Sequence, residues 1–377
     1  MARGKVLSGG SSSERYSASR ALLGLVSALF LLLAFAAPAG AATYVKSYGG
    51  PSSLLFAGPE SLAVDLQGNI FVASPFGAGF NKLDSGGNQI FLHSSLGNGP
   101  GQFVNGPNGT ATDSSGNAYF TDECTANSCC PAGVDCDTVD RVEVFDGNGS
   151  FLRAFGTPGS GNGQFEQPRG LATDAARNLY VADSNNDRIE KFNSSGGYVD
   201  QWSGGLSEPQ GVAVDGSGKV FVTDVDHVRV FTSSGGPVTS WAIDEPRGIA
   251  VDRAGHVYVA DQGNDRVQVF DSSGSFVSSF GGSGGGPGRF LSGPEGVALD
   301  CSGHIYVSDP GNNRVQVWSE PGAGASACGA PSSGPSPGQS ASTAAKKHKC
   351  KKKKRKHRSA SASKKRKCKK KKHHQRH

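Results

Sequence analysis

Histidine is scarce where chemistry would need it. Of nine, five fall in residues 346–377, which leaves His93, His227, His256 and His304 for everything else. Beyond residue 42 no long stretch carries apolar residues at helical spacing, which argues against a helical bundle. Acid is absent from residues 346–377, which hold 19 Lys/Arg. The formal net charge of +6 therefore averages two unlike parts, because residues 43–345 carry 15 Lys/Arg against 31 Asp/Glu.

What is present is one phrase, written six times. The copies start at Pro59, Pro107, Pro168, Pro209, Pro246 and Pro294, 37 to 61 residues apart. Six residues after each Pro comes Asp65, Asp113, Asp174, Asp215, Asp252 or Asp300. Fifteen after it comes Asp122, Asp183, Asp224, Asp261 or Asp309, with Ser74 in the first copy. Self-similarity at this period signals a repeat architecture. Each unit reads as four short strands, GLAT, LYVA, RIEKF and YVDQW in the third copy, separated by Gly/Asn/Ser/Asp turns. A lone four-stranded sheet cannot bury both faces, and radial packing of six such sheets solves that: an all-β, six-bladed propeller.

The phrase P-x-G-[VIL]-A-[VT]-D, then [YF]-V-[AT]-D, then N-[DN]-R-[VI] resembles the NHL-repeat family of propellers, over about residues 43–320. The resemblance implies recognition of a protein or other ligand through the top face; some related six-bladed propellers are lyases or lactonases with a metal in the funnel. After RVQVW (Arg314–Trp318) no fourth strand follows, whereas TYVKSYGG (Thr43–Gly50) is similar to SFVSSFGG (Ser275–Gly282). The N-terminal strand is thus expected to complete the last blade, giving a propeller domain over 42–320.

Residues 1–41 read as a signal peptide: Arg3, Lys5, Arg15 and Arg20 precede apolar Ala21–Ala37, and Ala39-Gly40-Ala41 suits cleavage. An uncleaved membrane anchor is the alternative, and either exports the propeller to a secreted, cell-surface or cell-wall location. Residues 321–345 form a Gly/Ala/Ser/Pro linker, and the polybasic tail 346–377 has the composition of a disordered segment. On an exported chain such a tail points to anionic cell-wall polymer or a membrane surface, with nucleic acid the less fitting target; folding back on the acidic propeller is the bland reading. Eight cysteines in this setting suggest disulfides. Cys301 and Cys328 are expected to pin the exit strand. Cys124, Cys129, Cys130 and Cys136 sit in a 14-residue insertion of blade two, as two bridges or, against the usual chelate spacing, a zinc site.

The recurrent pairs Asp183/Arg188, Asp224/Arg229, Asp261/Arg266 and Asp309/Arg314 flank short hairpins and read as structural, worth up to about 1 kcal/mol each if exposed. More informative is the variable residue after each repeat Pro: Glu60, Asn108, Arg169, Gln210, Arg247 and Glu295. These six should ring the mouth of the funnel as ligand-binding candidates, or else satisfy one another, Arg247 with Glu295. In blade one Ser74 and Gly79 replace the Asp and Arg, and Phe76 sits in the hairpin, beside the insertion of blade two. The top face over these two blades is the expected partner site. No catalytic residue and no cofactor is expected. Ca²⁺ held by Glu60, Asn108 and Glu295 is opposed by Arg169 and Arg247 in the same rim.

Overall fold

The computed structural model describes residues 41–50, 55–77, 79–123 and 139–320. Their strands form six four-stranded antiparallel sheets, one per sequence repeat. Blade three runs Pro168–Thr173, Leu179–Asp183, Arg188–Phe192 and Tyr198–Trp202, from the axis outward. Second strands such as Leu179–Asp183 and Val257–Asp261 are buried throughout, because neighbouring blades cover both faces. Outer strands such as Gln89–Ser94 alternate between exposed and half-buried residues. The apolar core is correspondingly divided into six clusters, each joining two adjacent blades. Ring closure follows the sequence expectation. Thr43–Gly49 pairs with Arg314–Ser319, with Tyr44 edge-on to Trp318 at 5.7 Å. The described residues contain no helix long and apolar enough to cross a membrane. Ala21–Ala37, the basic tail and the four insertion cysteines lie outside those residues. Cys301 is disulfide-bonded, and its expected partner Cys328 also lies outside them.

The first repeated Asp organises the lower turns. Asp174 accepts from Asn178 N at 2.8 Å, from Asn178 Nδ2 at 2.7 Å and from Tyr180 Oη at 3.2 Å. Where His replaces the Asn, Nδ1 takes over that contact, at 2.9 Å for His256 to Asp252 and 2.8 Å for His304 to Asp300. Both histidines are turn residues of the lower face.

The second repeated Asp departs from expectation. The Asp183, Asp224, Asp261 and Asp309 side chains are fully buried, so these are not exposed pairs at a hairpin mouth. In blades two, three and six a second motif, G-x-G-x-G-[QR]-F, read at 97–103, 159–165 and 284–290, covers the Arg as well. This loop enters the blade over its hairpin, with Phe103, Phe165 or Phe290 driven into the core. Arg188 clamps it. Its Nε meets Asp183 at 2.6 Å, and its terminal nitrogens donate to Ser160 O, Gly161 O and Gln164 O at 2.8, 3.0 and 2.7 Å. Arg314 and Arg141 make the equivalent three-carbonyl clamps. Blades four and five have short entries, and Arg229 and Arg266 are correspondingly more exposed.

The Gly of Pro-x-Gly is fixed by close approach at the axis. A Cβ on Gly248 would lie 2.5 Å from Glu295 O of the next blade, the carbonyl to which Gly248 N donates at 2.7 Å. Gly248→Ala should therefore cost about 1–3 kcal/mol by overpacking. Urea denaturation measures this, and a loss within experimental error would mean the blades can slide apart there.

Candidate functional site

Because each inner strand leans on its neighbour's backbone, the residue before each Gly is held at a fixed place on the rim. Hydroxyls in alternate blades reinforce this. Thr121, Thr223 and Ser308 donate to the rim carbonyls of Arg169, Arg247 and Glu60, at 3.2, 2.5 and 2.8 Å. All six rim candidates, Glu60, Asn108, Arg169, Gln210, Arg247 and Glu295, line one cavity of about 100 Å³ at the top of the channel. Its floor is the aliphatic ring Leu62, Leu171, Val212, Ile249 and Val297 with Thr110, which also roofs a lower cavity of about 290 Å³. The cup is therefore polar at its wall and apolar beneath.

The wall is not uniform. Over blades four to six it closes on itself. Gln210 Oε1 accepts from Arg247 at 3.1 Å, Arg247 Nε donates to Gln262 Oε1 at 2.8 Å, and Gln262 Nε2 donates to Glu295. Arg247 and Glu295 stand 3.9 Å apart, the inter-blade pairing that the sequence suggested. Over blades one to three the wall is left open. Asn108 donates to Glu123 Oε1, but Glu123 Oε2 is buried without a partner. Arg169 Nε is also buried and meets no acceptor. Burial, then the charge of Glu295, pushes the Glu60 carboxyl up to about 7, with Arg169 opposing. Burial likewise raises Glu123 and Glu295, while Arg169 pulls both down.

Sequence reasoning missed Glu123 and Gln262. Glu123 ends the second strand of blade two and Gln262 follows that of blade five, on the hairpins that share the top face with the rim, and a polar residue there was the available signal. Phe76 is where it was expected. It sits in the turn Pro75–Gly77, 81% exposed, with its ring edge against Gly58. The insertion beside it, including Thr125–Asp135, lies outside the described residues. No histidine is among the residues lining the cup. His93 stacks on Phe80 at 5.0 Å, inside the junction of blades one and two. Asp224, Asp226 and His227 come within 4.8 Å of one another on a hairpin, but Asp224 is already held by Arg229 at 2.5 Å.

The NHL repeat family model matches residues 165–192, 244–270 and 291–318, which are blades three, five and six. These are the blades whose hairpins keep the N-[DN]-R sequence. Among solved structures the chain is similar to a streptogramin B lyase at 12% identity, covering 74% of this chain and 98% of that one, with a TM-score of 0.51. It is also similar to the PQQ-bound aldose sugar dehydrogenase of Streptomyces coelicolor at 15% identity, covering 76% and 100%, with a TM-score of 0.53. At such identities the likeness is one of fold, a fold that carries unrelated activities.

Proposed function

We propose that this six-bladed propeller of NHL repeats is an exported, non-catalytic binding protein. It takes a protein, peptide or polysaccharide ligand on its top face. The observation that carries this reading is the half-finished wall of the cup: blades four to six satisfy their own polar groups, whereas Glu123 Oε2 and Arg169 Nε on blades two and three do not. Buried groups without partners are costly, and a ligand supplying partners recovers that cost. Phe76 beside the open half adds an exposed aromatic anchor of the kind that dominates binding surfaces. Residues 346–377 then hold the protein at an anionic wall polymer or lipid surface, a retention that fades steeply with ionic strength.

A pull-down from cell envelope at low and high salt tests both halves of this reading. Arg169→Ala and Phe76→Ser should each abolish capture of the top-face ligand, as should deletion of Thr125–Asp135. Removal of 346–377 should leave capture intact and release the protein from the envelope. Capture that survives all three changes to the top face would sink the placement.

A secreted metal-dependent lyase or lactonase is the second reading. Glu60 favours it, since a carboxyl titrating at about 7 suits general acid–base work. Metal analysis of the purified chain separates the two: stoichiometric Ca²⁺ or Zn²⁺ would favour the enzyme.

A further inference from the structure

Three carboxylates border the cup across blades six, one and two. Glu60 and Glu295 line it, and Glu123 stands behind Asn108, 5% exposed, with Oε2 unpartnered. Each of the three feels the others or the same guanidinium: Glu60 is repelled by Glu295 and Glu123, and Arg169 attracts all three. Two cations face them, and one of these, Arg247, is tied to Gln210, Gln262 and Glu295. With every group ionised, and Glu123 counted from behind the wall, the carboxylates outnumber the guanidiniums by one. The floor, aliphatic apart from Thr110, carries no countercharge to offset that excess.

We propose that the cup binds a single alkylammonium or guanidinium group, held between Glu60 and Glu295 with Glu123 in support. This rests on the top-face reading above and names the chemistry of its ligand. A group of charge +1 matches the excess. A divalent ion overshoots it beside two arginines, and an anion must enter against three carboxylates. The cavity of about 100 Å³ has room for the end of a side chain. Glu60 supplies a consequence in pH. Its carboxyl titrates at about 7, facing Glu295, Glu123, Arg169 and Arg247, so below that pH a proton occupies the place of the cation. An alkylammonium titrates near pH 10.4 and stays charged throughout. Affinity should thus rise as pH rises through about 7.

Two sources could provide such a group: the chain's own residues 346–377, with 19 Lys/Arg, or a basic side chain of a separate partner. The ring is complete by Ser319, so the tail can be removed without opening it. N-acetyl-lysine methylamide titrated into the full chain and into a chain ending at residue 345 distinguishes them. Tighter binding to the shortened chain means that the tail competes for the cup. Equal binding means that the cup awaits a partner.

Calorimetry at pH 6 and pH 8 should show binding of the lysine derivative, tighter at pH 8, and none of the neutral norleucine analogue. Glu60→Gln should weaken it roughly tenfold, the loss of one charge-assisted contact, and flatten the pH dependence. Glu60→Lys should abolish binding, with an unchanged thermal midpoint showing that the ring is intact. Equal binding of norleucine and lysine derivatives, preference for acetate, displacement by Ca²⁺, or a wild-type affinity in Glu60→Gln would overturn the proposal. If the lysine derivative fails while Arg169→Ala still abolishes envelope capture, the top-face reading stands and this assignment falls. If capture also survives Arg169→Ala and Phe76→Ser, the top-face reading falls with it.

Discussion

Arg188→Ala should lower the stability of the propeller by about 3–5 kcal/mol, the usual result of removing one partner from a buried ion pair. Four losses coincide. Asp183 loses its 2.6 Å contact, and Glu190 loses a guanidinium 3.3 Å away. The loop carbonyls of Ser160, Gly161 and Gln164 lose their donors, and the entry to blade three loses its clamp. Both acids are fully buried and would be left uncompensated. In a domain of this size the thermal midpoint should fall by roughly 6–10 °C. Arg188→Lys should recover only part of this, because one ammonium cannot reach what the planar fork reaches. A loss below about 1 kcal/mol would return the pair to the exposed class that its sequence position suggested.

Glu190→Gln is the matching control, and blade six has already made it. Gln316 occupies the equivalent place and accepts from Gly288 N at 3.0 Å, as Glu190 accepts from Gly163 N at 3.1 Å. Its effect at neutral pH should therefore be small. The pH dependence carries the sign. Burial raises the folded Glu190 to about 7 from an ordinary value of 4.5. The folded protein then keeps a proton that the unfolded chain releases, so stability falls as pH rises from about 5 to about 7. Asp122 and Glu143, also raised to about 7 by burial, add to the same slope. Glu190→Gln should flatten it.

How far the sequence could be read depends on which period a feature follows. Features with one copy per blade were legible. Asp174, the Pro-x-Gly rim and the turn role of His256 and His304 repeat in register, so one copy explains the others. The closing strand was legible because Thr43–Gly50 copies the missing fourth strand. The burial of Arg188 was not, because its cover, G-x-G-x-G-[QR]-F, appears before only three blades and belongs to none of the four strands. The asymmetry of the cup was not legible either. It depends on Gln262 reaching both Arg247 and Glu295, and on Glu123 finding only Asn108. These are contacts between hairpins and rim residues fifteen or more positions away.

Blade one lacks the Asp–Arg pair, and its interior is packed with larger rings. Phe80 occupies the place of Ile189, Val267 and Val315, and Phe120 of blade two occupies that of Val181 and Val259. The two rings stack at 4.1 Å, and Phe71, Phe103, Phe145 and His93 close around them. Larger rings thus fill positions that are aliphatic in the other blades, beside a hairpin without the ionic pair. The exchange cannot be reversed one residue at a time. A Cβ at Gly79 would lie 1.9 Å from His93 O, which leaves no room for an arginine, and an Asp at position 74 would be a buried charge without a partner. Phe80→Ala should therefore cost about 3–5 kcal/mol, at the upper end for a core aromatic, since the five rings around it cannot collapse onto the void together. Phe80→Leu should recover much of that loss by filling the void, whereas Ser74→Asp should add to it. The damage should spread to the top face. The turn carrying Phe76 hangs between Ser74 and Gly79, the last pair of the strands that Phe80 holds together. Hydrogen exchange in Phe80→Ala should accordingly quicken over residues 70–83 and 140–145 while the distant blade four keeps its protection. Uniform quickening around the ring would mean that the six blades unfold as one unit and that the aromatic seam stabilises no region in particular.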